Sequence, residues 1–139
     1  MMAPEIVAAP SARKPKMILL VEDSPDIREL ATSTLRGADF EVVEAANAEQ
    51  ALQILAELPF APDLLITDLM LPGLSGNELA RRVWAQHPAV RVLYTTGYGA
   101  EALECANLAS GQSSHLQKPF ALRALRQRVR EMLEISPSA

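Results

Sequence analysis

Met17-Ile18-Leu19-Leu20-Val21 running into Glu22-Asp23, and Leu64-Leu65-Ile66-Thr67 running into Asp68, are the two stretches that decide how this chain folds. Both are almost wholly apolar, without the alternation of a strand that has one wet face, and both stop at acid. Such runs mark parallel strands covered by helices on both faces. A third run, His115-Leu116-Gln117, stops at Lys118-Pro119. Ligands of an open parallel sheet bind beyond the carboxyl ends of its strands, so these charged stations are expected at one edge.

The intervening segments supply the helices that such a sheet requires. Ser24-Pro25-Asp26 is a helix start, with Ser24 as cap and Pro25 in the first turn, and the helix is predicted to run to Arg36 and stop at Gly37. Phe40 to Glu44 reads as a short strand, and Asn47 caps a helix whose Ala48, Ala51, Leu52, Leu55 and Leu58 recur at helical spacing before Pro59 and Pro62. After Asp68 comes a loop with Pro72, Gly73 and Gly76, then a helix from Ser75 to Gln86 that presents Leu79, Val83 and Trp84 to the core. Val90 to Thr95 is a fourth strand, Ala100 to Asn107 a weak helix, Ser114 to Gln117 the last strand and Phe120 to Leu133 the last helix. Strand and helix therefore alternate. Right-handed crossovers then give an α/β fold: a five-stranded parallel sheet in the order 2-1-3-4-5 with helices on both faces, the flavodoxin-like doubly wound architecture.

With 139 residues, 49% of them apolar, and a net charge of −4, the chain suits one domain with a single core and has no global attraction to nucleic acid or anionic membrane. The folded unit is expected over residues 16–135, with tails at 1–15 and 136–139. Cys105 is the only cysteine, which excludes an internal disulfide and fits a cytoplasmic location. The first sixteen residues do not read as a signal peptide, and no apolar run approaches the roughly 20 residues that cross a bilayer.

A lone aspartate at a strand end is commonly a cap or turn residue, but Asp68 has company. The strand order sets the first and third strands side by side, so Glu22, Asp23 and Asp68 converge. Three carboxylates in one pocket repel unless they bind a cation or take up a proton, and a hard divalent ion such as Mg²⁺ answers that need while leaving a carboxylate free to react. Aspartate serves as a nucleophile in phosphoryl transfer, where positioning and charge neutralisation do most of the work. Lys118, stiffened by Pro119, is placed to reach a phosphate as a point charge; an exposed lysine is the alternative. A hydroxyl from Thr95 or Thr96 can bond a phosphoryl oxygen, and Thr96 is preferred because Gly97 behind it leaves room.

These residues, with Pro72-Gly73 after Asp68, Thr96-Gly97 after the fourth strand and Lys118-Pro119-Phe120 after the fifth, resemble the receiver domain of two-component response regulators across Lys16 to Leu133. The resemblance implies Asp68 as phosphoacceptor, Asp23 as main metal ligand with help from Glu22, and the Met70 backbone carbonyl as a further ligand. Thr96 becomes the switch hydroxyl and Lys118 the phosphate-binding lysine. The family's switch aromatic falls at His115, a polar, titratable replacement. Met70 and Tyr98 stand two residues after Asp68 and Thr96, where family members control water access, and their bulk implies slow autodephosphorylation.

The function expected is a signalling domain that catalyses only its own phosphorylation and dephosphorylation. Its donor is a histidine kinase or histidine phosphotransfer protein and its output a conformational signal, or a relayed phosphoryl group, passed to a downstream protein partner, with the domain a monomer or a phosphorylation-dependent dimer. Two other classes compete. A binding module without phosphorylation would lack one of the acidic pair, acceptor or lysine, and a phosphohydrolase often carries a second aspartate where Met70 stands. Arg123, Arg126, Arg128 and Arg130 read as a solvated helix face or a surface for an acidic protein, without the stacking aromatics of direct nucleic-acid binding.

Overall fold

Neighbouring side chains of the central strands are buried on opposite faces of the sheet, the reason their sequences show no polar alternation. The computed structural model describes residues 15–97 and 113–133. Strands β1 (Met17–Val21), β2 (Glu41–Ala45), β3 (Leu64–Asp68), β4 (Arg91–Thr96) and β5 (Ser113–Gln117) form one parallel sheet in the order β2-β1-β3-β4-β5. Four helices are described: α1 (Pro25–Gly37), α2 (Ala48–Glu57), α3 (Gly76–Gln86) and α4 (Leu122–Met132). The expected tails apart from residue 15, the Ala100 to Asn107 helix, Tyr98 and Cys105 lie outside the described residues.

Ile18 and Leu20 of β1 and Leu64 and Ile66 of β3 pack with Ala31 and Leu35 of α1 and with Leu125 and Val129 of α4. Leu19, Val21 and Leu65 face the other way, against Ala51 and Leu55 of α2 and Leu79 and Val83 of α3. Burying each of the Leu, Ile and Val side chains among these stabilises by roughly 1.5–3 kcal/mol, so the sheet is fixed from both sides. The parallel register sets Val21 beside Thr67 and Asp68 beside Thr95, which brings the acidic ends of β1 and β3 to one edge.

Ser24 and Asn47 cap their helices as the sequence predicts, and Ser75, expected as the first helical residue, is the cap of the third. Ser24 accepts from the Ile27 amide, Asn47 from the Gln50 amide and Ser75 from the Glu78 amide. Other boundaries differ. Gly37 is the last helical residue of α1, and the left-handed turn falls on Asp39 (φ 74°), a residue type whose short polar side chain tolerates it. Phe40 precedes β2 and is buried in the core. The last helix starts at Leu122, two residues later than predicted, behind Ala121, which has no side-chain oxygen and hence no cap signal. Trp84 is half-buried rather than central, its indole N–H donating to the Val90 carbonyl at 2.7 Å.

Gly76 shows how tightly α3 sits beneath the site. A Cβ there would lie 2.2 Å from the Asp68 carbonyl oxygen, a backbone atom that cannot swing aside. Gly37, in contrast, has nothing within 4 Å of its virtual Cβ. Gly76→Ala is expected to cost roughly 1–3 kcal/mol in urea unfolding, and Gly37→Ala to add about 0.4–1 kcal/mol. Equal tolerance of alanine at both positions would contradict this packing.

Candidate functional site

The carboxyl edge of the sheet gathers its acids because β1 and β3 are neighbours and each ends in acid. Glu22, Asp23 and Asp68 each offer an oxygen to a cluster whose atoms lie within 4.8 Å of one another. Glu22 and Asp68 are buried, while Asp23 is exposed. Lys118, directly beyond β5, reaches across the edge: its ammonium donates to Glu22 Oε1 at 3.0 Å and to Asp68 Oδ2 at 2.9 Å. The Lys118–Pro119 peptide is cis. The other Asp68 oxygen, Oδ1, accepts from the Met70 amide at 3.1 Å, and Glu22 Oε2 accepts from the Ser24 amide at 3.1 Å.

Electrostatics follow from this crowding. Burial pushes the Glu22 carboxyl above its ordinary pKa, outweighing the hydrogen bonds from Lys118 and the Ser24 amide, with the Asp68 charge adding to the rise. Burial alone would lower the Lys118 pKa. Its hydrogen bonds to Asp68 and Glu22, and the charges of both, more than offset that and hold it raised. Three carboxylates face one ammonium, so ionised Glu22, Asp23 and Asp68 leave a charge of 1 − 3 = −2. An all-oxygen donor set with that charge fits a hard divalent cation.

Thr95 and Thr96 lie along the same edge. The Leu69 amide donates to the Thr95 carbonyl at 2.9 Å, and the Lys118 amide to the Thr96 carbonyl at 2.7 Å, so β4 links the Asp68 loop to the lysine. Both threonines are buried, and the Thr95 hydroxyl lacks a partner among the described residues. Met70 is exposed at 61%, beside the site. His115 is half-buried on β5 next to Tyr94, with its carbonyl accepting from Arg128. Arg128 also donates to Ser114 Oγ, so at least one arginine of the basic helix secures β5 rather than facing solvent alone.

Sequence reasoning passed over Arg28. On α1, one turn beyond the Ser24 cap, its guanidinium donates to the Glu22 carbonyl at 2.6 Å and its Nε lies 3.4 Å from Glu44 Oε1. The signal was its spacing: four residues after a cap places a side chain over the turn that precedes the helix.

Residues 18–130 match the family model of the response regulator receiver domain. The chain belongs to that family. This receiver domain is 37% identical over 118 residues to the response regulator receiver protein CpdR of Brucella abortus, a match covering 85% of this chain and 97% of that protein. It is 33% identical over 117 residues to the sensor kinase CckA of the same bacterium, covering 84% of this chain but 12% of the kinase. A solved receiver domain protein (CheY-like) from Methanospirillum hungatei superimposes with a TM-score of 0.78 at 28% identity, covering 88% of this chain and 96% of that one. Receivers of this kind thus occur as nearly a whole protein and as a small part of larger ones. No helix among the described residues is long and apolar enough to cross a membrane.

The raised Glu22 pKa has a definite sign in stability. Ionisation is harder in the folded domain than in the unfolded chain, so Glu22 favours folding when protonated and that contribution is lost as pH rises through its folded value. Glu22→Gln is therefore expected to raise the thermal midpoint in EDTA near pH ~7 and to change it little below the ordinary glutamate value of about 4.3. A neutral-pH midpoint lower in Glu22→Gln than in the wild type would contradict this sign.

Proposed function

We propose that this receiver domain accepts a phosphoryl group on Asp68 from the phosphohistidine of a histidine kinase or histidine phosphotransfer protein in the cytoplasm, and passes the change to a protein partner. One observation carries the reading: a buried aspartate at a strand end, held by the Lys118 ammonium at 2.9 Å, with Glu22 and Asp23 beside it. The sensor kinase among the relatives supports a kinase-linked donor.

Asp68 attacks phosphorus through a carboxylate oxygen. A P–O bond forms as the P–N bond to the donor imidazole breaks, and the departing nitrogen keeps the electron pair and takes up a proton. Lys118 exchanges its Asp68 contact for a phosphoryl oxygen, which keeps a positive charge where negative charge accumulates. Thr96 supplies a hydroxyl to another oxygen. Asp23, Glu22, Asp68 and the Met70 carbonyl would hold Mg²⁺, which supplies further positive charge against the phosphoryl group when bound. Engagement of Thr96 then biases a two-state equilibrium of the following loop, with His115 in the place of the switch aromatic.

The donor needs a surface beside Lys118. A depression of about 390 Å³ adjoins it, lined mainly by Ile27, Leu30, Pro119, Phe120 and Leu122, with Leu30 exposed at 55%. An apolar helix face of the donor fits such a lining. Bulky Met70 at the rim supports slow hydrolysis of the phosphoaspartate.

Incubation with acetyl phosphate and Mg²⁺ is expected to add one phosphoryl group in intact-mass measurements, and Asp68→Asn or EDTA to abolish it. Leu30→Asp is expected to slow transfer from a phosphorylated protein donor on the order of tenfold while leaving acetyl phosphate labelling intact. Labelling of Asp68→Asn equal to the wild type would overturn the assignment, and a phosphoryl half-life of seconds would overturn the slow-hydrolysis reading.

A further inference from the structure

We infer that Arg28 is a positioning residue for the cation site: by holding the Glu22 carbonyl it orients the peptide that carries Asp23. The inference rests on the cation-binding role proposed for Glu22 and Asp23. Beside the Ser24 cap, three bonds around Glu22 hold the turn between β1 and α1. The Glu22 amide donates to the Ala45 carbonyl of β2 at 3.1 Å, the Ser24 amide donates to Glu22 Oε2 at 3.1 Å, and Arg28 donates to the Glu22 carbonyl at 2.6 Å. The first two bonds hold either end of the turn. Among the described residues, only the third acts on the carbonyl of the Glu22–Asp23 peptide itself.

That peptide matters because Asp23 is exposed, so its direction depends on the backbone that carries it rather than on packing. The guanidinium is in turn steadied by Glu44 on β2, with Nε 3.4 Å from Oε1, and the Arg28 side chain is 21% exposed. A planar donor held at both ends resists rotation of the peptide it grips. A lysine in its place would keep the charge and lose the fork.

Charge and geometry predict opposite signs. If Arg28 acted on the site only through its charge, removing a positive charge from the Glu22 turn would tighten cation binding. A positioning role predicts weaker binding, because the acidic pair then has to be ordered by the cation itself.

Mg²⁺ titrations by calorimetry on the wild type, Arg28→Met and Arg28→Lys decide the matter, with thermal midpoints in EDTA and amide hydrogen exchange on metal-free protein beside them. Arg28→Met is expected to raise the Mg²⁺ dissociation constant by roughly tenfold, and Arg28→Lys to recover part of that loss. Metal-free Arg28→Met is expected to exchange faster at the Asp23 and Ser24 amides, with β3 amides unchanged. Should Arg28→Met not fold, weakened Mg²⁺ binding in folded Arg28→Lys supports the same conclusion. Unchanged or tighter binding in the variants, beside a wild type that binds Mg²⁺, would overturn the inference alone. Uniformly faster exchange would reduce Arg28 to a general stabiliser and overturn it too. A wild type that binds no Mg²⁺ would overturn the cation-binding reading first and this inference with it.

Discussion

Among the described residues, three carboxylates crowd one edge of this sheet, and a single ammonium, that of Lys118, joins two of them. The rest of the structure is arranged around that shortage of positive charge. Parallel pairing of β1 with β3 puts the acids together, and β5, three strands over from β1, returns a lysine to Glu22 across 96 residues of sequence. Cores on both sheet faces hold these strands rigid, so the acids cannot spread apart to relieve their repulsion. A divalent cation and a phosphoryl group are the natural partners of such an edge: one adds the missing positive charge, the other uses the lysine.

Stability is given up around the acidic edge at specific places. Burial raises the Glu22 pKa, so its ionised form works against folding. Gly76 forgoes a side chain so that α3 can approach the Asp68 carbonyl, although glycine at a helix start is not otherwise required. Arg28 is engaged on the turn rather than reaching solvent. Each compromise lies within one or two residues of the acids, or touches their backbone.

Much of the fold was legible because its signals are local. Ser24 and Asn47 announce their helices through a side-chain oxygen, and the apolar runs of β1 and β3 announce two-sided burial. Ala121 starts a helix without a cap oxygen, and Asp39 rather than Gly37 takes the left-handed turn; neither leaves a clear mark in composition. The acids and the lysine were legible as strand ends, since strand order converts sequence position into spatial position. The Lys118 bridge to both acids, the Arg28 grip on the Glu22 carbonyl and the closeness of Gly76 to Asp68 depend on tertiary geometry at the scale of single bonds. Periodicity carries no information at that scale.

Phosphorylation at Asp68 is the claim on which the functional reading stands. Borohydride reduces an acyl phosphate on aspartate to homoserine, which marks the modified position permanently. After treatment with acetyl phosphate and Mg²⁺, borohydride reduction and peptide mapping of the wild-type domain are predicted to find homoserine at position 68. Homoserine at position 23 or elsewhere, or none at all, would contradict the assignment of this sheet edge as a phosphoacceptor site.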